Sequence, residues 1–150
     1  MSLFDTIIRA VKPYDAETTA DDNTLTITNR QNGRQIQVFR ETYGSQDGTD
    51  RFTEYIVEFS TQHRHFEDDD AEEITDYILS VMQDKILPLE FYRNGQRRFG
   101  GELDRRKNPT ADLSKWLARI GYEIEQYADY EYEITSWSGR FDSGRQKVTG

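Results

Sequence analysis

The only two histidines of the chain stand together as His63-Arg64-His65, directly ahead of an acidic run. Residues two apart on a strand point to one side, so a strand reaching this far would place both imidazoles on one face. With Glu67 or Asp69 they would make a two-His, one-carboxylate ligand set of the kind that holds a catalytic metal. No third histidine is present to complete a zinc site, and no general base is placed beside the pair. The sequence reading is therefore no metal and no cofactor, with a metal-dependent enzyme using His63 and His65 as an alternative.

The acidic run has more to explain. Eight carboxylates (Glu67, Asp68, Asp69, Asp70, Glu72, Glu73, Asp76, Asp84) follow one another with no Lys or Arg between them, a block of −8. A calcium loop of the EF-hand type needs alternating oxygen ligands around a central glycine, and that spacing is missing. Acids in the first turn of a helix contribute about 0.3–1 kcal/mol each against the positive end of its dipole, but eight exceed what a helix start needs. The surplus points to an interface.

A basic block follows. From Arg93 to Lys107 there are six cations (Arg93, Arg97, Arg98, Arg105, Arg106, Lys107) against two acids, a block of +4. With Tyr92 and Phe99 interleaved, it has the ingredients for phosphate contacts and base stacking. The remaining −13 of the chain opposes a polyanion, and arginine is as well suited to carboxylates. Glu131 and Glu133, flanked by aromatic residues, are a carboxylate pair of the sort glycosidases use. On a strand they share one face, with Tyr130, Tyr132 and Ile134 on the other as core. No phosphate-cradling loop and no Gly-x-Ser-x-Gly elbow occurs.

The elements that must carry these residues can be read from periodicity. Leu3, Phe4, Ile7, Ile8 and Val11 recur at helical spacing behind a Ser2/Asp5 capping box, and Pro13 ends that helix. Residues 14–23 read as a polar loop. Leu25 and Ile27 alternate with threonines, and a two-residue turn at Asn32-Gly33 would pair Ile27 with Val38 and Asn29 with Ile36. Tyr55, Val57 and Phe59 make a third strand with Glu54 and Glu58 on its opposite face.

Ile74, Tyr77, Ile78, Val81 and Met82 give a second helix ending near Lys85. Leu87, Leu89 and Phe91 begin a strand that turns at Asn94-Gly95, where a simple hairpin would put Phe99 on the wrong face; a bulge at Gly100-Gly101 or a longer loop is required. Leu113, Trp116, Leu117, Ile120, Ile124 and Tyr127 continue in helical phase after Asn108-Pro109-Thr110, with Gly121 as a possible early end. Tyr130, Tyr132 and Ile134 form the last strand.

This order, αβββαββαβ, predicts an α+β domain over residues 1–137, an antiparallel sheet of about five to six strands with helices mainly on one face, and a Gly/Ser-rich basic tail over residues 138–150. At 150 residues one domain is expected, and 8 Phe, 9 Tyr and 2 Trp supply a core despite an apolar fraction of 35% and a mean hydropathy of −0.90. The absence of cysteine excludes disulfides and thiolate chemistry and fits a reducing compartment. No signal-peptide core and no run of 18 apolar residues is present, so the expected location is cytoplasmic, or a virion if the source is viral. A net charge of −9 argues against nucleic acid and anionic membranes as partners.

The function these observations predict is a non-enzymatic assembly protein acting through protein-protein contacts. Acidic and basic blocks at different places on one subunit suit a head-to-tail contact with other copies, closing into a ring or tube as in a viral connector or tail-completion component. The alternative is a small acidic inhibitor or immunity-type protein that covers a basic toxin or nuclease. In either case the interface residues are the six cations and Glu67, Asp68, Asp69, Asp70, Glu72 and Glu73. No small-molecule substrate is inferred.

Overall fold

Ser2 opens the first helix by accepting the Asp5 amide (3.2 Å) while the Asp5 carboxylate accepts the Ser2 amide (3.4 Å), as the capping box predicts. Helix α1 (Leu3–Val11) then buries Phe4, Ile7 and Val11. The computed structural model describes residues 2–45, 47, 48, 50–68 and 70–149. They divide into two compact units, Met1–Ser80 and Val81–Gly150.

The first unit is built on a five-stranded antiparallel meander, in the order β1 (Ala16–Ala20), β2 (Thr24–Asn29), β3 (Gln35–Gly44), β4 (Arg51–Phe59), β5 (Gln62–Glu67). Its inner face carries Leu25, Ile27, Ile36, Val38, Tyr55, Val57, Phe59 and Phe66, all buried. Phe4 of α1 meets Tyr55 edge-on at 6.3 Å, and Tyr77 of α2 (Ala71–Met82) meets Phe66 at 5.7 Å, so both helices lie on this face.

Three local features depart from expectation. Residues 16–20, read as loop, form an edge strand paired with β2, where Thr18 faces Ile27. An edge strand exposed on most sides needs no apolar alternation, which is why it left no trace in the pattern. The β2–β3 connection is five residues, 30–34, not two: Asn29 Oδ1 accepts the Gln31 amide, Gly33 takes φ +77°, and Ile27 faces Ile36. The register moves by two, so the aliphatic residues still share a face. Finally, the chain turns at Ser60 (φ 56°), and His63 and His65 lie on β5 rather than on an extension of β4.

The second unit holds a four-stranded sheet in the order β7 (Gln96–Asp104), β6 (Ile86–Arg93), β8 (Glu131–Ile134), β9 (Gln146–Lys147). Asn94-Gly95 is the two-residue turn, and the bulge falls between Phe91 and Tyr92, so that Arg98 is skipped and Phe91 faces Phe99. Their rings stack at 4.6 Å and 11°. The bulge is thus at Arg98, and Gly100 and Gly101 serve close approach instead. A Cβ on Gly100 would lie 2.5 Å from the Glu90 carboxylate, and one on Gly101 2.7 Å from the Trp116 ring.

Helix α3 (Leu113–Arg119) starts at Asp112, which accepts the Lys115 amide, and packs Leu117 into the core. It ends at Gly121 (φ +90°), where the Gly121 amide donates to Ala118 O and the Tyr122 amide to Leu117 O, the Schellman pattern. Continuation to Tyr127 is replaced by a separate 3₁₀ turn, Ile124–Tyr127. The fold is α+β, with the three helices at the places the periodicity predicts. Its strands form two sheets, of five and four, in place of one sheet of five to six. The expected tail is partly ordered, since Gln146 and Lys147 pair with Tyr132 and Glu131.

Candidate interaction surfaces

The acidic block spreads over a strand end, a turn and the start of α2. Glu67 ends β5; Asp68, Glu72 and Glu73 are exposed and have no ion-pair partner among the described residues. Asp70 is half-buried and closes the turn, its carboxylate accepting the Glu67 amide at 3.0 Å. Asp69 lies outside the described residues. Asp84 is buried and structural: its carboxylate accepts the Ser138 amide (3.1 Å) and its carbonyl the Arg105 guanidinium (3.0 Å).

The basic block is mostly engaged at home. Arg93 pairs with Asp129 at 3.0 Å and lies over Tyr130; Arg97 pairs with buried Glu90; Arg105 sits 3.9 Å from the Phe141 ring centroid. Arg106 forks onto Asp104 (2.9 and 2.8 Å), and that hydrogen bond holds the Asp104 carboxyl below its usual range and raises Arg106. Arg105, held by a carbonyl and a ring, has no ion-pair partner among the described residues, and the side chains of Arg98 and Lys107 have neither an ion pair nor a ring contact there. Cross-strand and loop pairings of this kind are invisible in the linear charge pattern, which counted all six cations as free.

The histidines share the outer face of β5, as their spacing predicts. Their rings meet edge-on at 5.3 Å, and His65 Nδ1 lies 2.5 Å from Glu54 Oε1. Among the described residues no three His, Asp or Glu side chains are grouped so as to hold a metal ion. Glu131 and Glu133 are neighbours on β8, as the alternation predicts, and face Tyr92 and Glu90 of β6.

The outer face of the five-stranded sheet brings together residues that linear reading left apart. Glu41, Glu54 and Glu67 occupy one cross-strand row on β3, β4 and β5, each in register with the next. On one side of the row, Tyr43 and Phe52 are also partners and stack at 5.3 Å and 26°, with Phe52 57% exposed. On the other side lie half-buried Phe39 and Ile56, then His65. The Tyr43 hydroxyl donates to Glu41, and that bond, with the charges of Glu41 and Glu54, pushes the phenol up to about 12. A cavity of about 770 Å³ adjoins the row, lined by Arg51, Phe52, Thr53, Glu54, Glu67 and Asp68.

Alternation along β4 already placed Glu54 and Glu58 opposite the core residues. The row itself needed the pairing of three strands, which no local pattern supplies. No described helix is long and apolar enough to cross a membrane. The chain matches no protein-family model, no curated protein and no solved structure.

Proposed function

We propose that this is a non-enzymatic binding protein whose acidic first unit docks a basic partner protein, in the manner of an inhibitor or immunity-type protein covering a cationic site. The partition of charge carries this reading. Residues 1–80 hold 7 Lys and Arg against 17 Asp and Glu, and residues 81–150 hold 12 against 11, so the chain's −9 is a sum of −10 and +1. A field of one sign concentrated on one unit steers a partner of the opposite sign and orients it on approach. The second unit is a poor complement, because four of its six clustered cations are already engaged.

A second reading remains attached to one observation: the acidic residues Glu67 to Asp76 and the basic block lie on different units, and acidic and basic patches at different places on one subunit suit head-to-tail assembly into a ring or tube, such as a viral connector. The two readings separate on what binds. Tagged full-length chain, captured from its own cells at 0.05 M salt, is expected to carry one basic protein in stoichiometric amount, released at 0.5 M as the Debye length falls from about 14 to about 4 Å. Recovery of copies of the chain alone would favour the ring.

A further inference from the structure

We infer that the outer face of the five-stranded sheet is the surface on which the basic partner docks, and that the partner meets it with arginine rather than lysine side chains. The inference rests on the reading above and adds to it a face and a residue type.

The face is sorted by charge. Every Lys or Arg on β1 to β5 (Arg40, Arg51, Arg64) falls on the inner-face parity of its strand, whereas Glu17, Glu41, Glu54, Glu58 and Glu67 fall on the outer. Outward positions of the sheet therefore carry five carboxylates and no strong cation. Like charges directly opposite one another destabilise a sheet, and Glu41, Glu54 and Glu67 place three in succession. Tyr43 and His65 each give one of them a hydrogen-bonding neighbour, but Glu67 and Glu58 have no ion-pair partner among the described residues. Arg51 lines the same cavity but makes no ion pair with the row among the described residues, so the neutralising cations are assigned to the partner.

The apolar neighbours of the row select among cations. The Tyr43–Phe52 stack stands beside the carboxylates, and exposed Phe52 offers an open ring face. A guanidinium is planar and weakly hydrated; it lies flat on an aromatic ring while its edge forks onto a carboxylate. An ammonium is a compact, strongly hydrated point that gives up more hydration to lie on a ring and cannot fork onto a carboxylate in the plane of the stack. Phe52 and Glu54 are two apart on one strand face and both line the cavity, so a single arginine can use the ring and the carboxylate together.

The test uses isotope-labelled full-length chain titrated at 0.05 M salt with nine-residue arginine and lysine peptides, following amide shifts and affinity. Expected are shifts centred on residues 39–43, 52–56 and 63–67, and at least about fivefold tighter binding of the arginine peptide. Phe52→Leu, which keeps bulk but removes the ring, should abolish that preference, and Glu54→Gln should weaken both peptides. Thermal melts on both variants check that they fold. Shifts confined to Glu72, Glu73 and Asp76 of α2 would overturn the face while leaving the basic-partner reading intact. Equal affinities insensitive to Phe52→Leu would overturn the choice of arginine. Self-association blocked by either peptide would assign the face to a second copy, and failure of both peptides to bind would overturn the parent reading itself.

Discussion

Glu41 and Glu54 are cross-strand partners on the outer face of the first unit's sheet, carboxylate beside carboxylate, and Glu67 repeats the relationship one strand further on. A direct like-charge pair costs a sheet about 0.2–1 kcal/mol, and nothing in the fold of this unit requires it. Under the proposed docking, this local cost is what a basic partner would relieve.

That cost is measurable. Replacing Glu67 by Gln removes one charge from the row and no ion pair, so the melting temperature should rise by about 1–3 °C in calorimetry at low salt. The gain should shrink at 0.5 M salt as the repulsion is screened. A fall in melting temperature would mean that Glu67 is held by a favourable contact.

Tyr43 reports on the same row. Its phenol titrates near 12, against an ordinary 10, because the neutral form donates to Glu41 beside two negative charges. The folded protein therefore binds the phenolic proton more tightly than the unfolded chain does. Any stability linked to it is fully present below pH 10 and lost between about pH 10 and 12. Ultraviolet titration of Glu41→Gln should show one tyrosine moving back toward 10, and an unchanged titration would break the assignment.

Gly100 and Gly101 are expected to resist substitution for steric reasons alone. A methyl on Gly100 meets Leu89 O at 2.6 Å, which is backbone and cannot step aside, so Gly100→Ala should cost about 1–3 kcal/mol in denaturant unfolding. Gly101→Ala should also displace the Trp116 ring, whose indole donates to Glu102 O at 2.9 Å, and so change tryptophan fluorescence.

In α3, Leu117 is fully buried, and Leu117→Ala should cost about 2–5 kcal/mol. Gly121 has open space around it but φ +90°, so Gly121→Ala should cost only about 1 kcal/mol, through the backbone. Equal small effects at both positions would mean that the helix does not pack on the sheet as described.

The α+β class was legible because α1, α2 and the strands β2 to β4 each bury one face and so carry a strict apolar period. Elements held mainly by backbone pairing were not: β1 brings only Ala16, Thr18 and Ala20 to the inner face, and β9 is two polar residues, Gln146 and Lys147. The division into two sheets depends on which strands meet. The pairing of β6 with β8, Phe91 facing Tyr132, joins residues some forty apart and leaves no local mark. The two charge blocks could be read directly from the chain, but not that Glu90 and Asp129 already hold Arg97 and Arg93. The hairpin at Asn94-Gly95 was correct while its bulge was misplaced, because glycine signals both a bulge and a close approach and only Trp116 and Glu90 decide between them.

Light scattering on the purified chain, alone and then mixed with the basic protein captured from its cells, bears most directly on the claim that the acidic unit serves a foreign partner. Alone, at 0.05 M salt and high concentration, the chain should show its own mass of 17.6 kDa. With the partner it should show the sum of one copy of each, falling apart at 0.5 M salt. A mass of several chains in the absence of any partner, dissolving as salt is raised, would contradict the account and establish the head-to-tail assembly in its place.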